Sequence, residues 1–313
     1  MLLLAADSAS VRRIPVAPAE TLVVTTRGAG PPLLIVPGLI GSAYAFRKIV
    51  PPLAAAGLAV SVVEPLGVGA SSRPEKSDYS FTAQARRIAA VLDSLGIQGC
   101  VPVLAHSLGV AMAFRLALLQ PERVCGILAE NGGPQESVAT SSVRRAVKYA
   151  WLIKLVAGRG RVRSQIRKGL LETAGDSSWV TTEVIDHYTE GPAGDLGAVL
   201  RALKGMARSS DPDSLAPQLG RITVPVRLLV GGAPNTKGIP PAHTALLAAR
   251  LPHLVVDTVP GAGLHIHEEQ PDAVVKAVLE LVRQLTPQRA PPSGPARSSP
   301  RRGASQPGRT SGG

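Results

Sequence analysis

The chain has 313 residues and a formal net charge of +12, with 45% hydrophobic and 18% charged residues. This composition is typical of a globular protein and excludes a mainly disordered chain, and no apolar run reaches the roughly 18 residues that a membrane-spanning helix needs. The ligand spacings typical of metal sites, CxxC and HExxH, do not occur in the sequence, so we expect neither a metal nor another cofactor.

Strand and helix patterns alternate through the first part of the chain. A β-pair is predicted over 11–16 and 21–26, further strands over 32–36, 58–63, 101–105 and 124–129, and helices over 44–56, 81–95 and 107–119. Strands that alternate with helices of this length predict crossover connections and a parallel sheet with both faces covered.

This alternation stops between about 134 and 217, where the pattern is helical. It resumes with strands over 226–230 and 254–259 and helices over 241–250 and 271–285. We therefore expect an α/β fold, a doubly wound and mostly parallel sheet with a helical cap inserted. The expected domains are a first core part (1–134), the cap (135–217), a second core part (218–286) and a disordered tail (287–313).

The positive charge is concentrated in two segments. The tail carries five arginines and no acid, and residues 141–170 carry nine cations and no acid. The positive charge of these two segments together exceeds the net charge of the whole chain, so the rest of the chain is slightly negative. We therefore do not expect a nucleic-acid binder. The tail is rich in Pro, Gly and Ser, as disordered segments are. The basic block in the cap could steer an anionic substrate or an acyl-carrier partner, or could be a solvated face.

The cysteines and the N-terminus bear on location. Cys100 and Cys125 are too few for a disulfide framework, so we expect reduced thiols. The apolar start of the chain is short and has no basic flank, unlike a secretory leader. A cytoplasmic protein is the resulting expectation.

The stretch VPVLAHSLG at 101–109 carries the strongest chemical signal. An apolar strand ends at Ala105, Ser107 follows in a tight turn, and a helix starts at once, which is the nucleophile elbow in the form A-x-S-x-G. Small side chains at Ala105 and Gly109 let strand and helix approach each other. We interpret the neighbouring His106 as structural, because it cannot reach Ser107 properly as a base.

Two backbone N–H groups are candidates for an oxyanion hole. The helix that follows the nucleophile presents the N–H of Leu108, and the loop VPGLIGS at 36–42 presents that of Leu39. Donors at these positions would hold the negative charge that develops on a substrate carbonyl oxygen.

With these residues the chain resembles the α/β-hydrolase fold superfamily over about residues 10–286. Four stretches are similar to the haloalkane dehalogenase and coelenterazine luciferase branch, namely EPLGVGASSRP (64–74), QPERV (120–124), GIPPA (238–242) and GAGLHIHEEQPD (261–272). That branch places its catalytic histidine after Gly-x-Gly-Leu, so the resemblance implies His265 as the base. His267, two residues further on, is the rival, since only one of the two should reach Ser107.

The acid of the triad is expected at Glu130. Most family members carry an aspartate after the strand that is here 226–230, but this chain has GGAPN there, and Asn235 cannot supply a full negative charge. The resemblance implies the branch's other solution, an acid that follows the strand after the nucleophile helix, which is Glu130. A buried glutamate without a partner is costly, which favours pairing with His265. Asp257 is the second candidate.

The function expected from these residues is a cofactor-free serine hydrolase that cleaves an ester, lactone or thioester of a small, largely apolar substrate. Dehalogenase and luciferase activity are not expected, because both resemble reactions of an aspartate nucleophile. A carbon–carbon bond hydrolase, a cyclase or an acyltransferase on the same triad stays open. A non-catalytic ligand-binding protein on the same scaffold also stays open.

Overall fold

The structure is a computed structural model that describes residues 8–137, 148, 158–234 and 238–285. The strands are β1 (Ser10–Ala17), β2 (Glu20–Arg27), β3 (Pro32–Val36), β4 (Ala59–Glu64), β5 (Val101–His106), β6 (Val124–Glu130), β7 (Val226–Gly231) and β8 (Leu254–Val259). The helices are α1 (Val50–Ala55), α2 (Phe81–Ser94), α3 (Leu108–Leu119), α4 (Arg159–Thr173), α5 (Thr182–Gly194), α6 (Leu196–Arg208), α7 (Pro241–Arg250), α8 (Ile266–Glu269) and α9 (Pro271–Leu285). Short 3₁₀ segments cover Ala43–Phe46, Pro121–Arg123 and Ala216–Arg221.

The eight strands form one sheet in the order β1-β2-β4-β3-β5-β6-β7-β8. β2 pairs antiparallel with β1 and with β4, and every other neighbouring pair is parallel. This confirms the predicted doubly wound, mostly parallel sheet. Because the carboxyl ends of parallel strands meet at one edge, the residues that follow β3, β5, β6, β7 and β8 lie together there.

Hydrophobic side chains cover the sheet on both faces. Along β3, Leu34 and Val36 belong to the core cluster that includes helices α2 and α3, whereas Leu33 and Ile35 belong to the cluster that includes α1 and α9. All four side chains are almost fully buried. This alternation is the two-residue period of a strand buried on both sides.

The helix predicted over 44–56 is divided in the structure. A 3₁₀ turn covers Ala43–Phe46, and α1 begins only at Val50, with prolines in its first turn. Proline has no N–H to donate within a helix, but the first turn leaves its N–H groups without intrahelical acceptors, so α1 tolerates prolines there.

Helices α4, α5 and α6 lie between β6 and β7, in the part of the chain predicted to be a helical cap. Most of the basic block (141–147 and 149–157) and the tail predicted to be disordered (287–313) lie outside the described residues.

The expectation of reduced cysteines is wrong, because Cys100 and Cys125 form a disulfide. Val101 of β5 pairs with Val124 of β6 in adjacent parallel strands, and this register brings the two cysteines together at the start of the pair. Disulfides are usual in oxidising compartments, so the cytoplasmic expectation loses the argument from the cysteines. Among the described residues no helix is long and apolar enough to cross a membrane.

Candidate active site

Ser107 occupies the strained turn that the sequence predicts. Its backbone has φ +53° and ψ −118°, a region that L-amino acids rarely adopt. The turn joins β5 directly to α3, and the Ser107 N–H donates to the Glu130 carbonyl at 2.9 Å. The nucleophile candidate is therefore fixed to the ends of two neighbouring strands.

Glycines make room for this turn. A Cβ atom at Gly109 would lie 2.4 Å from the carbonyl oxygen of Val36, and one at Gly132 would lie 2.3 Å from the carbonyl oxygen of Ser107. Both distances are shorter than any van der Waals contact, so side chains at these positions would push the turn out of place. The lack of space for a Cβ atom at position 109 agrees with the close approach of strand and helix that the motif predicts.

Glu130 pairs with His267, which corrects the predicted pairing with His265. One carboxylate oxygen, Oε1, accepts hydrogen bonds from Nδ1 of His267 at 2.7 Å and from the His267 backbone N–H at 3.0 Å. Both side chains are buried, with 0% of Glu130 and 1% of His267 exposed. The first turn of α8 aims His267 at the end of β6, and His265 lies just before that helix.

The Glu130–His267 pair sets the charge and the tautomer of the site. Burial alone would raise the pKa of Glu130, but the attraction of His267 and its hydrogen bonds outweigh burial and lower the pKa below its usual value. Glu130 is therefore a carboxylate. Because Nδ1 of His267 donates to this carboxylate, Nε2 is the unprotonated nitrogen of the neutral ring. Among the described residues Nε2 of His267 has no hydrogen-bond partner.

Burial keeps His106 and His265 neutral. Burial lowers the pKa of His106 to about 4, against the opposing attraction of Glu130. The Nε2–H of His106 donates to the Leu264 carbonyl at 3.2 Å, which agrees with the structural role inferred for it. Burial, together with His106 and His267, lowers the pKa of His265 well below its usual value.

Asn131 holds the histidine loop, a role that the sequence analysis missed. Its amide nitrogen donates to the carbonyls of Gly263 and Leu264 at 2.9 and 3.0 Å, and its amide oxygen accepts from the Gly231 N–H at 3.0 Å. Its backbone has φ +43°, a conformation that asparagine tolerates better than most residues. The signal available in the sequence was an asparagine directly after a buried strand and before two glycines.

The two expected oxyanion donors flank the nucleophile. Leu108 is the first residue of α3, where backbone N–H groups have no intrahelical acceptor. The loop that carries Leu39 lies against the turn, because a Cβ at Gly38 would be 3.1 Å from Cβ of Ser107. The Gly41 N–H donates to the Gly38 carbonyl at 3.1 Å and closes this loop.

A cavity of about 220 Å³ lies over these residues. Its apolar lining includes Leu39, Ile40, Ala45, Phe46 and Leu264, and its polar side chains are His106, Ser107, Tyr188, His265 and His267. Tyr188 comes from α5 in the inserted segment, and its hydroxyl donates to Oε1 of Glu268 at 3.1 Å. The insertion therefore supplies part of the cavity wall.

Asp257, the second candidate acid, is not part of this arrangement. Asp257 on the edge strand β8 forms an ion pair with Arg227 at 2.5 Å, away from the cavity. Asn235 lies outside the described residues.

Three buried side chains of metal-ligand type come close together in the described part of the chain. The ligand atoms of His106, Glu130 and His267 lie within 4.8 Å of one another. The hydrogen bond between Glu130 and His267, and that of His106 to the Leu264 carbonyl, already account for this grouping. We therefore interpret the cluster as an acid–base network.

Comparison with known proteins places the chain in a family. The sequence pattern of the alpha/beta hydrolase fold matches residues 31–167. The magnesium-chelatase 30 kDa subunit of Rhodobacter capsulatus is 30% identical over 282 residues, which cover 87% of this chain and 94% of that protein. The chain belongs to the α/β-hydrolase fold superfamily.

Two further relatives of this α/β hydrolase bear on the predicted resemblance. A haloalkane dehalogenase of Mesorhizobium japonicum is 33% identical over 115 residues, which cover 37% of this chain and 36% of that enzyme. The solved structure of an esterase from Thermogutta terrifontis superposes with a TM-score of 0.70 and 21% identity, over 88% of this chain and 99% of that one. The resemblance to the dehalogenase branch is confirmed in sequence, and the esterase shares the fold.

Proposed function

We propose that this α/β hydrolase is a serine hydrolase that cleaves a carboxylic ester, lactone or thioester through Ser107, His267 and Glu130. The observation that carries the proposal is the buried pair of Glu130 and His267, which engages Nδ1 of His267 and leaves its Nε2 without a described partner, in a cavity that Ser107 also lines. His267 takes the place in the triad that the sequence analysis gave to His265.

The reaction follows from this arrangement. Nε2 of His267 accepts the proton of the Ser107 hydroxyl as its oxygen attacks the substrate carbonyl, and Glu130 stabilises the imidazolium that forms. The N–H groups of Leu39 and Leu108 donate to the tetrahedral oxyanion. His267 then passes the proton to the leaving group, and water, activated by the same histidine, releases the acyl group from Ser107.

The wall of the cavity supports a small and largely apolar substrate. A volume of about 220 Å³ suits a short acyl chain, and five apolar side chains line the cavity. The fold and the triad are also compatible with a cyclase, an acyltransferase or a carbon–carbon bond hydrolase, so assays with a substrate of each class are needed to decide among these reactions.

Labelling by a fluorophosphonate probe tests the proposal. The wild type should label, and Ser107→Ala should abolish labelling, because the probe reacts only with an activated serine hydroxyl. Of the variants His106→Gln, His265→Gln and His267→Gln, the last should slow labelling most, by at least about 10³-fold.

Two outcomes would contradict the assignment. Labelling that survives in Ser107→Ala would place the reactive group elsewhere. A larger loss in His265→Gln than in His267→Gln would restore His265 as the base. If neither outcome occurs, hydrolysis of short p-nitrophenyl esters by the wild type would establish that the substrate is an ester.

A second function is favoured by one comparison. One relative that matches over 94% of its own length is a magnesium-chelatase subunit, so the alternative is a non-catalytic partner of such a chelatase on the hydrolase scaffold. Wild-type protein that neither labels nor hydrolyses esters, but copurifies with a magnesium chelatase, would support this alternative.

A further inference from the structure

Four of the five polar side chains that line the cavity already have a partner or a role. His106 donates to the Leu264 carbonyl, His267 donates to Glu130, and Tyr188 donates to Glu268. Ser107 is the proposed nucleophile. The fifth side chain, His265, stands apart because neither of its ring nitrogens has a hydrogen-bond partner among the described residues.

The imidazole of His265 is buried and held in place. Only 3% of the residue is exposed. Its ring meets the indole of Trp179 edge-on, with 5.5 Å between centroids, and lies 5.2 Å from the ring of His106. Trp179 comes from the segment between α4 and α5, so the inserted helices and the histidine loop fix this ring together.

We propose that His265 binds a second oxygen of the substrate, a hydroxyl or a ketone carbonyl on the acyl chain, next to the scissile ester. This inference rests on the proposed function, because it takes the cavity to be the acyl site. A neutral imidazole offers one N–H donor and one nitrogen acceptor, which suit a hydroxyl or a carbonyl oxygen.

The chemistry of the lining favours an oxygen over a further methylene. A buried donor without a partner has lost its hydrogen bonds to water, which costs free energy. A ligand that supplies a new hydrogen bond recovers part of this free energy. An acyl chain without the oxygen would leave both ring nitrogens of His265 without a hydrogen-bond partner. The substrate class is therefore an ester of a short hydroxy or oxo acid.

Two esters of equal length test the inference, p-nitrophenyl 4-oxopentanoate and p-nitrophenyl pentanoate. For the wild type, kcat/KM should be about 10- to 100-fold higher for the oxo ester, mainly through a lower KM. In His265→Phe, which keeps an aromatic ring against Trp179, the ratio of the two kcat/KM values should fall to near 1. In His265→Gln, which restores a donor, the ratio should recover in part.

The ratio distinguishes a binding role from a catalytic one. Loss of a base would lower kcat for both esters alike and leave their ratio unchanged, so an unchanged ratio in His265→Phe overturns the inference. A wild type with no preference for the oxo ester also overturns it.

Binding to Ser107→Ala separates this inference from the proposed function. If the wild type hydrolyses neither ester, the proposed function fails, and the dissociation constants of both esters from Ser107→Ala then decide. The inference is supported if Ser107→Ala binds the oxo ester more tightly than the other ester and if the double variant Ser107→Ala/His265→Phe loses this difference. Equal binding of the two esters to Ser107→Ala overturns it.

Discussion

Replacement of Glu130 by glutamine tests the centre of the proposed mechanism. Glutamine keeps the shape of the side chain and an oxygen that can accept from Nδ1 and the backbone N–H of His267. It removes the negative charge that would stabilise the imidazolium. The variant therefore isolates the electrostatic contribution of the carboxylate from its hydrogen bonds.

The magnitude follows from the geometry of the pair. Nδ1 of His267 and Oε1 of Glu130 are 2.7 Å apart, and both side chains are buried. At an effective dielectric constant of about 20, unit charges at this distance attract by about 6 kcal/mol, and each 1.4 kcal/mol corresponds to about a tenfold change in rate. The glutamine oxygen retains part of this stabilisation, so kcat should fall by about 10³- to 10⁴-fold.

The assay is ester hydrolysis together with the rate of fluorophosphonate labelling, both at neutral pH. Glu64→Gln is the matched control, because Glu64 is also a buried glutamate at the end of a strand, and in the described part of the chain its carboxylate accepts from the backbone N–H groups of Ala43 and Ala70 and from no side chain. The control should keep kcat within about threefold of the wild type. A fall of less than about tenfold in a folded Glu130→Gln variant would refute the charge-stabilisation argument.

Three further predictions concern stability. As pH falls from 6.5 towards 4, His106 should account for about 3 kcal/mol of the decrease in the free energy of unfolding, because the pKa of folded His106 is lowered from 6.5 to about 4 and the unfolded residue takes up its proton first; urea unfolding of the wild type and of His106→Gln at several pH values measures this contribution. Gly132→Ala should destabilise the protein by about 1–3 kcal/mol and slow labelling, because its Cβ would lie 2.3 Å from a carbonyl oxygen of the nucleophile turn. Cys100→Ser should lower the free energy of unfolding without reductant by about 3 kcal/mol, because the disulfide to Cys125 links residues 25 positions apart.

Each of these has its own control. His106→Gln should lose less stability than the wild type over the same pH range, and an equal loss would contradict the role of its burial. Gly169→Ala in α4, where a new Cβ meets nothing within 4 Å, should cost no stability. Reductant should lower the unfolding midpoint of the wild type and leave that of Cys100→Ser unchanged; equal midpoints of the wild type with and without reductant would rule out the disulfide.

The sequence was sufficient for the features that depend on short stretches of chain. A buried strand, a small-residue turn and a helix start within nine residues predict the conformation of Ser107, since hydrophobic periodicity and steric limits act locally. The end of the next buried strand likewise predicts the position of Glu130. The alternation of strand and helix patterns predicts the parallel sheet that brings these two residues to one edge.

Tertiary structure alone decided which histidine meets Glu130. His265 and His267 are two residues apart, and the pattern around them is compatible with either. His265 has non-helical backbone angles, φ −102° and ψ +67°, whereas His267 lies in the first turn of α8. Their side chains therefore leave the chain in different directions, and only the docking of α8 against the end of β6 selects His267.

The disulfide and the anchor at Asn131 depended on tertiary structure for the same reason. Cys100 and Cys125 are separated by a whole helix, and they meet because β5 and β6 are neighbours in register. Asn131 binds backbone groups about 100 and 130 residues away along the chain. Local periodicity carries no information about such distant partners, because their approach is set by the packing of the whole sheet and its helices.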